Sequence, residues 1–189
     1  PLSIDWTFSG GELSHVTYTQ GDRVSSVLLD DQGRVQAFEG PDGRRQVLVY
    51  DARGFVVSQE LWSKVGEAWQ HQAEVDFGYD ANGNLASITR PHTDEQVQTV
   101  WHCLGADVLD RLSCYDAPPL AGGEASCEAL VCDGDADELQ LTHDMDNRLT
   151  AVDFPGDKGI QVEYEAGTGH LESVQLLEGG VPEATIVPT

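Results

Sequence analysis

Apolar and polar residues alternate along most of the chain in short stretches, with a turn signal about every 10 to 12 residues. In the clearest stretch Trp69, His71, Ala73, Val75, Phe77 and Tyr79 fall on one side of a predicted strand. Gln70, Gln72, Glu74 and Asp76 fall on the other. Between such stretches stand Ser9-Gly10-Gly11, Pro41-Asp42-Gly43, Gly156-Asp157-Lys158 and Gly179-Gly180, which read as hairpin turns. No segment sustains an apolar period of 3.6 residues long enough for a major helix. The pattern predicts an all-β fold, an antiparallel meander of about fourteen strands in a single domain over residues 1–189.

Seven of the turns share one degenerate motif, aromatic-Asp-x-x-Gly-Arg-Leu. The clearest copies are Tyr50-Asp51-Ala52-Arg53-Gly54-Phe55-Val56 and Tyr79-Asp80-Ala81-Asn82-Gly83-Asn84-Leu85. The others start at Tyr18, Leu29, Ala106, His143 and Tyr164, and the steps from Leu29 to Tyr50 and from His143 to Tyr164 are both 21 residues. A unit of that length holds two turns, so consecutive turns are expected on opposite edges of the sheet. Each motif position has a mechanical reading. Asp accepts bonds from backbone N–H groups two or three residues on, and Gly supplies the positive φ of a type I turn closed by a G1 bulge. Asn147 can replace Gly because Asn tolerates that region; Asp110 does so less comfortably. Tyr18, Tyr50, Asp51, Gly54, Tyr79, Asp80, Gly83, Asp144, Asn147 and Tyr164 are thus read as architectural residues of repeat turns.

Charge narrows the range of partners. Ten basic residues stand against 33 acidic ones, a formal net charge of −23. Such a surface repels phosphate backbones and anionic membranes, which argues against nucleic acid. No run of 18 apolar residues offers a membrane-spanning helix, so membrane insertion is not expected. The start at Pro1, without Met or signal peptide, reads as a processed product or a piece of a longer chain.

The stretch 115–138 breaks the pattern with Pro118-Pro119, Gly122-Gly123 and an acidic run, and reads as an inserted loop with one helical turn near residues 126–131. Four cysteines allow three pairings. A hairpin pairing Ala106 with Arg111 would set Cys103 beside Cys114 on the next strand, leaving Cys127 with Cys132; this pairing is favoured. Zinc is the rival, but the spacings lack paired C-x-x-C knuckles. Disulfides imply an extracytoplasmic location. Asp133, Asp135 and Asp137 alternate as at the start of a calcium loop, with Asp144 at the twelfth place. Glu138 stands where the needed Gly belongs, so a solvated acidic loop is the stronger reading and a looser calcium site the weaker. No other cofactor is expected.

Trp6, Trp62, Trp69 and Trp101 either fill a buried face or stack on a neutral sugar. No pattern for a nucleophile elbow, a zinc protease or a P-loop is present, and the six histidines are scattered; catalysis is not expected.

The motif copies, above all Tyr50-Asp51 and Tyr79-Asp80, closely resemble those of the YD-repeat (RHS-repeat) family. That family includes bacterial Rhs and wall-associated proteins, the C component of insecticidal toxin complexes and the teneurins. The resemblance covers residues 8–174 apart from the insert. It implies stacked hairpins in an open or spiralling sheet, which in long members encloses a polypeptide or presents an adhesive surface. This chain is far shorter than a closed shell needs and lacks the Asp-Pro-x-Gly-rich self-cleaving end. The expectation is a structural segment of a secreted or cell-surface bacterial protein, associating with other repeats of a parent chain or with neighbouring copies. The alternative is an adhesion module for a neutral glycan or a protein, stabilised by calcium.

Overall fold

The computed structural model describes residues 2–90, 100–117, 127 and 138–188. Among them the chain is all-β: fifteen antiparallel strands whose order in the sheet is their order in sequence. They group into two compact units, Pro1–Gly78 with Thr89–Thr99, and Tyr79–Ile88 with Val100–Thr189.

In the first unit lie β1 (Leu2–Ser9), β2 (Glu12–Gln20), β3 (Arg23–Leu29), β4 (Val35–Glu39), β5 (Arg44–Tyr50), β6 (Val56–Val65) and most of β7 (Ala68–Tyr79). Each pairs with the next. The residues of β8 (Leu85–Arg90) are divided between the units. The second unit carries β9 (Val100–Ala106), β10 (Leu112–Asp116), β11 (Glu138–His143), β12 (Leu149–Phe154), β13 (Lys158–Tyr164), β14 (Leu171–Glu178) and β15 (Val181–Ile186). These too pair in order.

Two kinds of turn join the strands. Gly10-Gly11 and Gly179-Gly180 are two-residue connections with both φ angles positive, as a type I′ turn requires, whereas Pro155-Gly156-Asp157 is a three-residue connection between the paired Phe154 and Lys158. The motif turns are longer. In the turn between β3 and β4 the Asp30 N–H donates to the Arg34 carbonyl at 2.8 Å, and the Gly33 N–H donates to the Asp30 carbonyl at 3.0 Å. The same pair of bonds closes the turns at Asp51, Asp80, Asp107 and Asp144. This is a type I turn with a G1 bulge, its left-handed position filled by Gly33, Gly54, Gly83, Asp110 or Asn147. Because a meander alternates direction, motif turns within a unit share one sheet edge.

A further irregularity follows the motif turns. Leu29 faces Val35 while Leu28 faces Ala37, so two residues oppose one at Gln36. The registers beyond the turns at Asp51, Asp107 and Asp144 slip in the same way. The hairpin pairs Ala106 with Leu112 and not with Arg111, and together with this slip that overturns the expected cysteine pairing. Cys114 lies opposite Gly105, and Asp116 opposite Cys103, so Cys103 and Cys114 are diagonal neighbours on one face. Diagonal neighbours stand about 7–8 Å apart, beyond the reach of a disulfide. Cys103 is instead bonded to Cys127, with a Cα–Cα distance of 5.4 Å. Neither Cys103–Cys114 nor Cys127–Cys132 therefore holds. Cys114 is also disulfide-bonded. Cys132, His92, Asp133, Asp135, Asp137 and most of the predicted helical turn lie outside the described residues.

A bulge also corrects the predicted alternation in β7. Leu61 faces Ala73 but Trp62 faces His71, which leaves Gln72 as the extra residue. Trp69 and His71 consequently lie on the opposite face from Ala73 and Val75.

The core is thin. Val16, Ala37, Cys103, Cys114 and Val152 are the buried apolar residues among those described, with Ser26, Ser58, Thr89, Glu138 and Ser173 the buried polar ones. Ser58 donates to Glu74 and Ser173 to Glu163, which satisfies both hydroxyls across strands. With so little apolar burial, cross-links weigh heavily. Opening the Cys103–Cys127 bridge, which spans 24 residues, is expected to cost about 3 kcal/mol by the chain-entropy relation. Urea unfolding of the Cys103→Ala/Cys127→Ala variant measures that cost. Non-reducing peptide mapping checks the pairing: a peptide linking Cys103 to Cys114 would contradict it.

Candidate functional site

The motif turns form the most distinctive chemical surface of the chain, and each is built around one carboxylate. Asp30 Oδ1 accepts the N–H groups of Gln32 and Arg34, both at 2.9 Å, while Oδ2 accepts Arg34 Nε at 2.7 Å. Asp107 treats Leu109 and Arg111 in the same way, and Asp144 treats Asp146 and Arg148 likewise. Asp51 takes the N–H groups of Arg53 and Phe55 and the Arg53 side chain. Asp80 holds the Asn84 backbone and side-chain amides. The backbone donors are thus two and four residues on. The tight turn brings both N–H groups to one oxygen and leaves the second for a side chain.

These bonds favour the charged carboxylate. Asp107 is lowered to about 2, first by the hydrogen bond from the Arg111 side chain, with partial burial opposing. The Asn84 side chain leads in lowering Asp80, and the Arg148 N–H in lowering Asp144. For Asp30 and Asp51 partial burial pushes upward, but the hydrogen bonds together outweigh it and the net shift is downward.

Four of the clasped side chains, Arg34, Asn84, Arg111 and Arg148, also reach the next turn on the same edge, while Arg53 lies over Phe55 of its own turn, 4.9 Å from the ring centroid. In the first unit the Arg34 guanidinium lies over the Tyr50 ring, 4.3 Å from its centroid, and Tyr50 Oη donates to the Val35 carbonyl at 2.7 Å. In the second unit Arg148 lies over Tyr164 at 4.7 Å, and Tyr164 Oη donates to the Leu149 carbonyl at 3.0 Å. The two contacts are equivalent by motif position. Arg111 Nη1 donates to the Asp144 carbonyl at 2.8 Å, beside His143 where the motif elsewhere has Tyr. Asn82 and Asn84 both donate to Asp110 Oδ1, at 3.0 and 2.9 Å. Asp110, with φ +61°, thereby gains two partners that Gly could not offer. At Gly169, φ +70°, the backbone favours Gly, and an added Cβ would lie 2.6 Å from Arg148 Nη1 and displace the end of that side chain.

The predicted turn residues are therefore brought together in two ladders. One joins the turns at Asp30 and Asp51; the other joins those at Asp80, Asp107, Asp144 and Glu165. Gly54 and Gly83 hold the left-handed positions, as Asn147 does with φ +65°, and Tyr79 opens the Asp80 turn. Tyr18 is placed differently. It lies within β2 opposite Ser25, and its hairpin turns over Gly21-Asp22, so it is a strand residue and opens no motif turn. Asp144, considered as a calcium ligand, has both oxygens engaged inside its own turn. Sequence reasoning assigned no role to the arginines. The signal was available: in a chain of ten basic residues, Arg34, Arg111 and Arg148 all occupy the sixth motif position.

No family model and no curated protein sequence matches the chain. Solved structures do match its fold. The Photorhabdus luminescens Tc holotoxin pore, carrying a TccC3 substitution, is 12% identical with a TM-score of 0.71, over 100% of this chain and 10% of that one. TcdB2–TccC3 without its hypervariable C-terminal region gives 12% and 0.70, over 100% and 10%. TcdB2–TccC3–TEV gives 13% and 0.65, over 94% and 9%. The likeness is one of fold. It places the meander with sheets found in a Tc toxin, and this chain spans about a tenth of the chains it matches.

Two outcomes follow from the ladder. Tyr164→Phe is expected to cost about 1 kcal/mol, the net worth of one hydrogen bond. A double-mutant cycle of Tyr164→Ala with Arg148→Ala in urea should return a coupling of about 0.5–1 kcal/mol; additive losses would mean the stacked pair does no joint work. Acidification tests the carboxylates. Their folded pKa values lie below the ordinary 3.8, so their contribution is complete above that value and is lost as pH falls through the lowered values, toward about 2 for Asp107. Thermal melts should hold steady down to about pH 4 and drop between there and pH 2, with Asp107→Asn flattening part of that drop.

Proposed function

We propose that this chain is a non-catalytic structural segment of a secreted or cell-surface bacterial repeat protein, which docks further repeats along β1. The docked repeats come from a longer parent chain or from another copy. The observation that carries the reading is the exposure of β1. Leu2, Ile4, Trp6 and Phe8 alternate along one face of that strand and are 62%, 43%, 57% and 63% exposed. Among the described residues β1 pairs with β2 alone, so its outer edge offers backbone donors and acceptors to another strand. Edge strands in isolated proteins carry charges or prolines that discourage such pairing, and β1 carries only Asp5. Continuing the meander would satisfy this edge and cover the apolar stripe in one step.

Three further points support the reading. The YD-type motif resembles that of toxin-complex C components and related shells. The fold neighbours include a Tc holotoxin pore, a large assembly of which a chain like this one would make up a small part. The disulfides suit an extracytoplasmic setting.

Association of copies has to overcome a net charge of −23, so the test adds salt. At about 1 M salt the Debye length falls to roughly 3 Å and repulsion is screened. Sedimentation equilibrium should then show reversible self-association that Trp6→Lys abolishes while the melting temperature is kept. A chain that stays monomeric at high salt would overturn docking of another copy along β1.

A further inference from the structure

The sheet of the second unit carries a cavity that the turn ladders do not use. Gln140 of β11 faces Asp153 of β12, Asp153 faces Gly159 of β13, and Gly159 faces Leu177 of β14. Residues directly opposite in an antiparallel sheet share a face, and Glu138, two before Gln140, shares it too. These five line a cavity of about 750 Å³. The buried Gly159 forms its floor. A Cβ there would lie 3.3 Å from Asp153 Oδ1 and 3.8 Å from Leu177 Cδ1, so the missing side chain opens the space between carboxylate and leucine.

One wall of this cavity is a carboxylate oxygen without a partner. Glu138 is 8% exposed, and its Oε2 is enclosed yet accepts no hydrogen bond. Leaving such a group buried and unbonded is costly, the more so when it is ionised. Asp116 of β10 stands directly opposite Glu138, and like charges in that position repel. Lys158, the cation among the lining residues, precedes Gly159 and so points to the other face of β13, between Phe154 and Glu178 in register.

We propose that this cavity receives an arginine side chain of a partner polypeptide, its guanidinium bonding Glu138 and Asp153 and its stem lying along Gly159 and Leu177. Charge and size decide among ligand classes. An anion is repelled by both carboxylates and by the −23 of the whole chain. A neutral group could bond Glu138 but would leave the repulsion among the carboxylates in place. Among the described residues no three His, Cys, Asp or Glu side chains converge as metal ligands, whereas a calcium ion takes about six to eight oxygens. Of the two basic side chains, arginine is the more weakly hydrated, and its planar fork bonds two carboxylates from different edges. A free guanidinium would fill little of the cavity; the alkyl stem of a side chain adds contact with Leu177. The site lies wholly within the second unit and uses none of the β1 stripe, so it stands apart from docking along that edge.

The test titrates the whole chain with acetyl-Gly-Arg-Gly amide at about 0.15 M salt and follows amide resonances. The Gly159 N–H and the Gln140 side-chain amide should shift and saturate. Glu138→Gln and Asp153→Asn should each weaken binding by about tenfold, while Asp5→Asn in the first unit should leave it unchanged. Asp153 is exposed, so its variant keeps the test open where the buried Glu138→Gln fails to fold. Acetyl-Gly-Lys-Gly amide should bind several-fold more weakly than the arginine peptide. No saturable shift at Gly159 and Gln140, an equal loss in Asp5→Asn, or equal binding of the lysine peptide would overturn the proposal in favour of unspecific charge attraction. Methylguanidinium binding as tightly as the peptide would overturn a polypeptide as the source. Calcium shifting the same resonances at lower concentration than the peptide would overturn the proposal in favour of a metal.

Discussion

Everything regular about this protein depends on a carboxylate that closes a turn from the inside. Asp30 and its counterparts take two backbone N–H groups on one oxygen, and in doing so hold the chain in a type I turn with its G1 bulge. The turn fixes which residues face one another across the hairpin. In a sheet with so few buried apolar side chains, that assignment cannot be left to core packing, because a one-residue slip would meet little resistance from burial. The turn sets the register, and register in turn sets which side chains meet on each face.

The same constraint accounts for how sparingly positive charge is used. With 33 acidic residues and ten basic ones, most carboxylates have no cation available to them. Arg34, Arg111 and Arg148 are held between the carboxylate of their own turn and a group on the following one. A guanidinium can do this because its donors are spread over a plane, whose face stacks while its edge bonds. Lysine could satisfy the carboxylate but not the ring. The remainder of the acidic surface is left to water and salt.

How much of this was legible in the sequence depended on distance along the chain. The alternation, the turn positions, the left-handed residues Asn147 and Asp110, and the all-β meander involve neighbours within a few residues, and the sequence displays them. The partner of Tyr50 is fifteen residues back, at Val35, and becomes visible only once turns are known to stack on one edge. The cysteines failed for a related reason. Counting outward from Ala106–Arg111 assumes one residue per partner, whereas the hairpin starts at Ala106–Leu112 and the strand beyond the turn carries an extra residue, so Cys114 moves away from Cys103. Gln72 does the same to β7: nothing in its chemistry announces a bulge, yet it sends Trp69 and His71 to the other face. Bulges are where a period of two ceases to predict sides, and here they shape both the disulfide and the two faces of β7.

Asp110 carries an implication for how such chains change over time. Its backbone is held where glycine would be at ease, and its compensation comes from Asn82 and Asn84 on the preceding turn. Gly169 is matched to its predecessor differently, with Arg148 Nη1 standing 2.6 Å from where a Cβ would lie. A turn is therefore not an interchangeable part. Its sequence makes sense only behind a particular predecessor, and moving one copy alone to another position would break both the bond it receives and the bond it gives. The opposite edge is linked as well, the Gly179 N–H donating to the Asp157 carbonyl at 2.8 Å, so recombination preserves these bonds only where it carries consecutive turns of both edges across together.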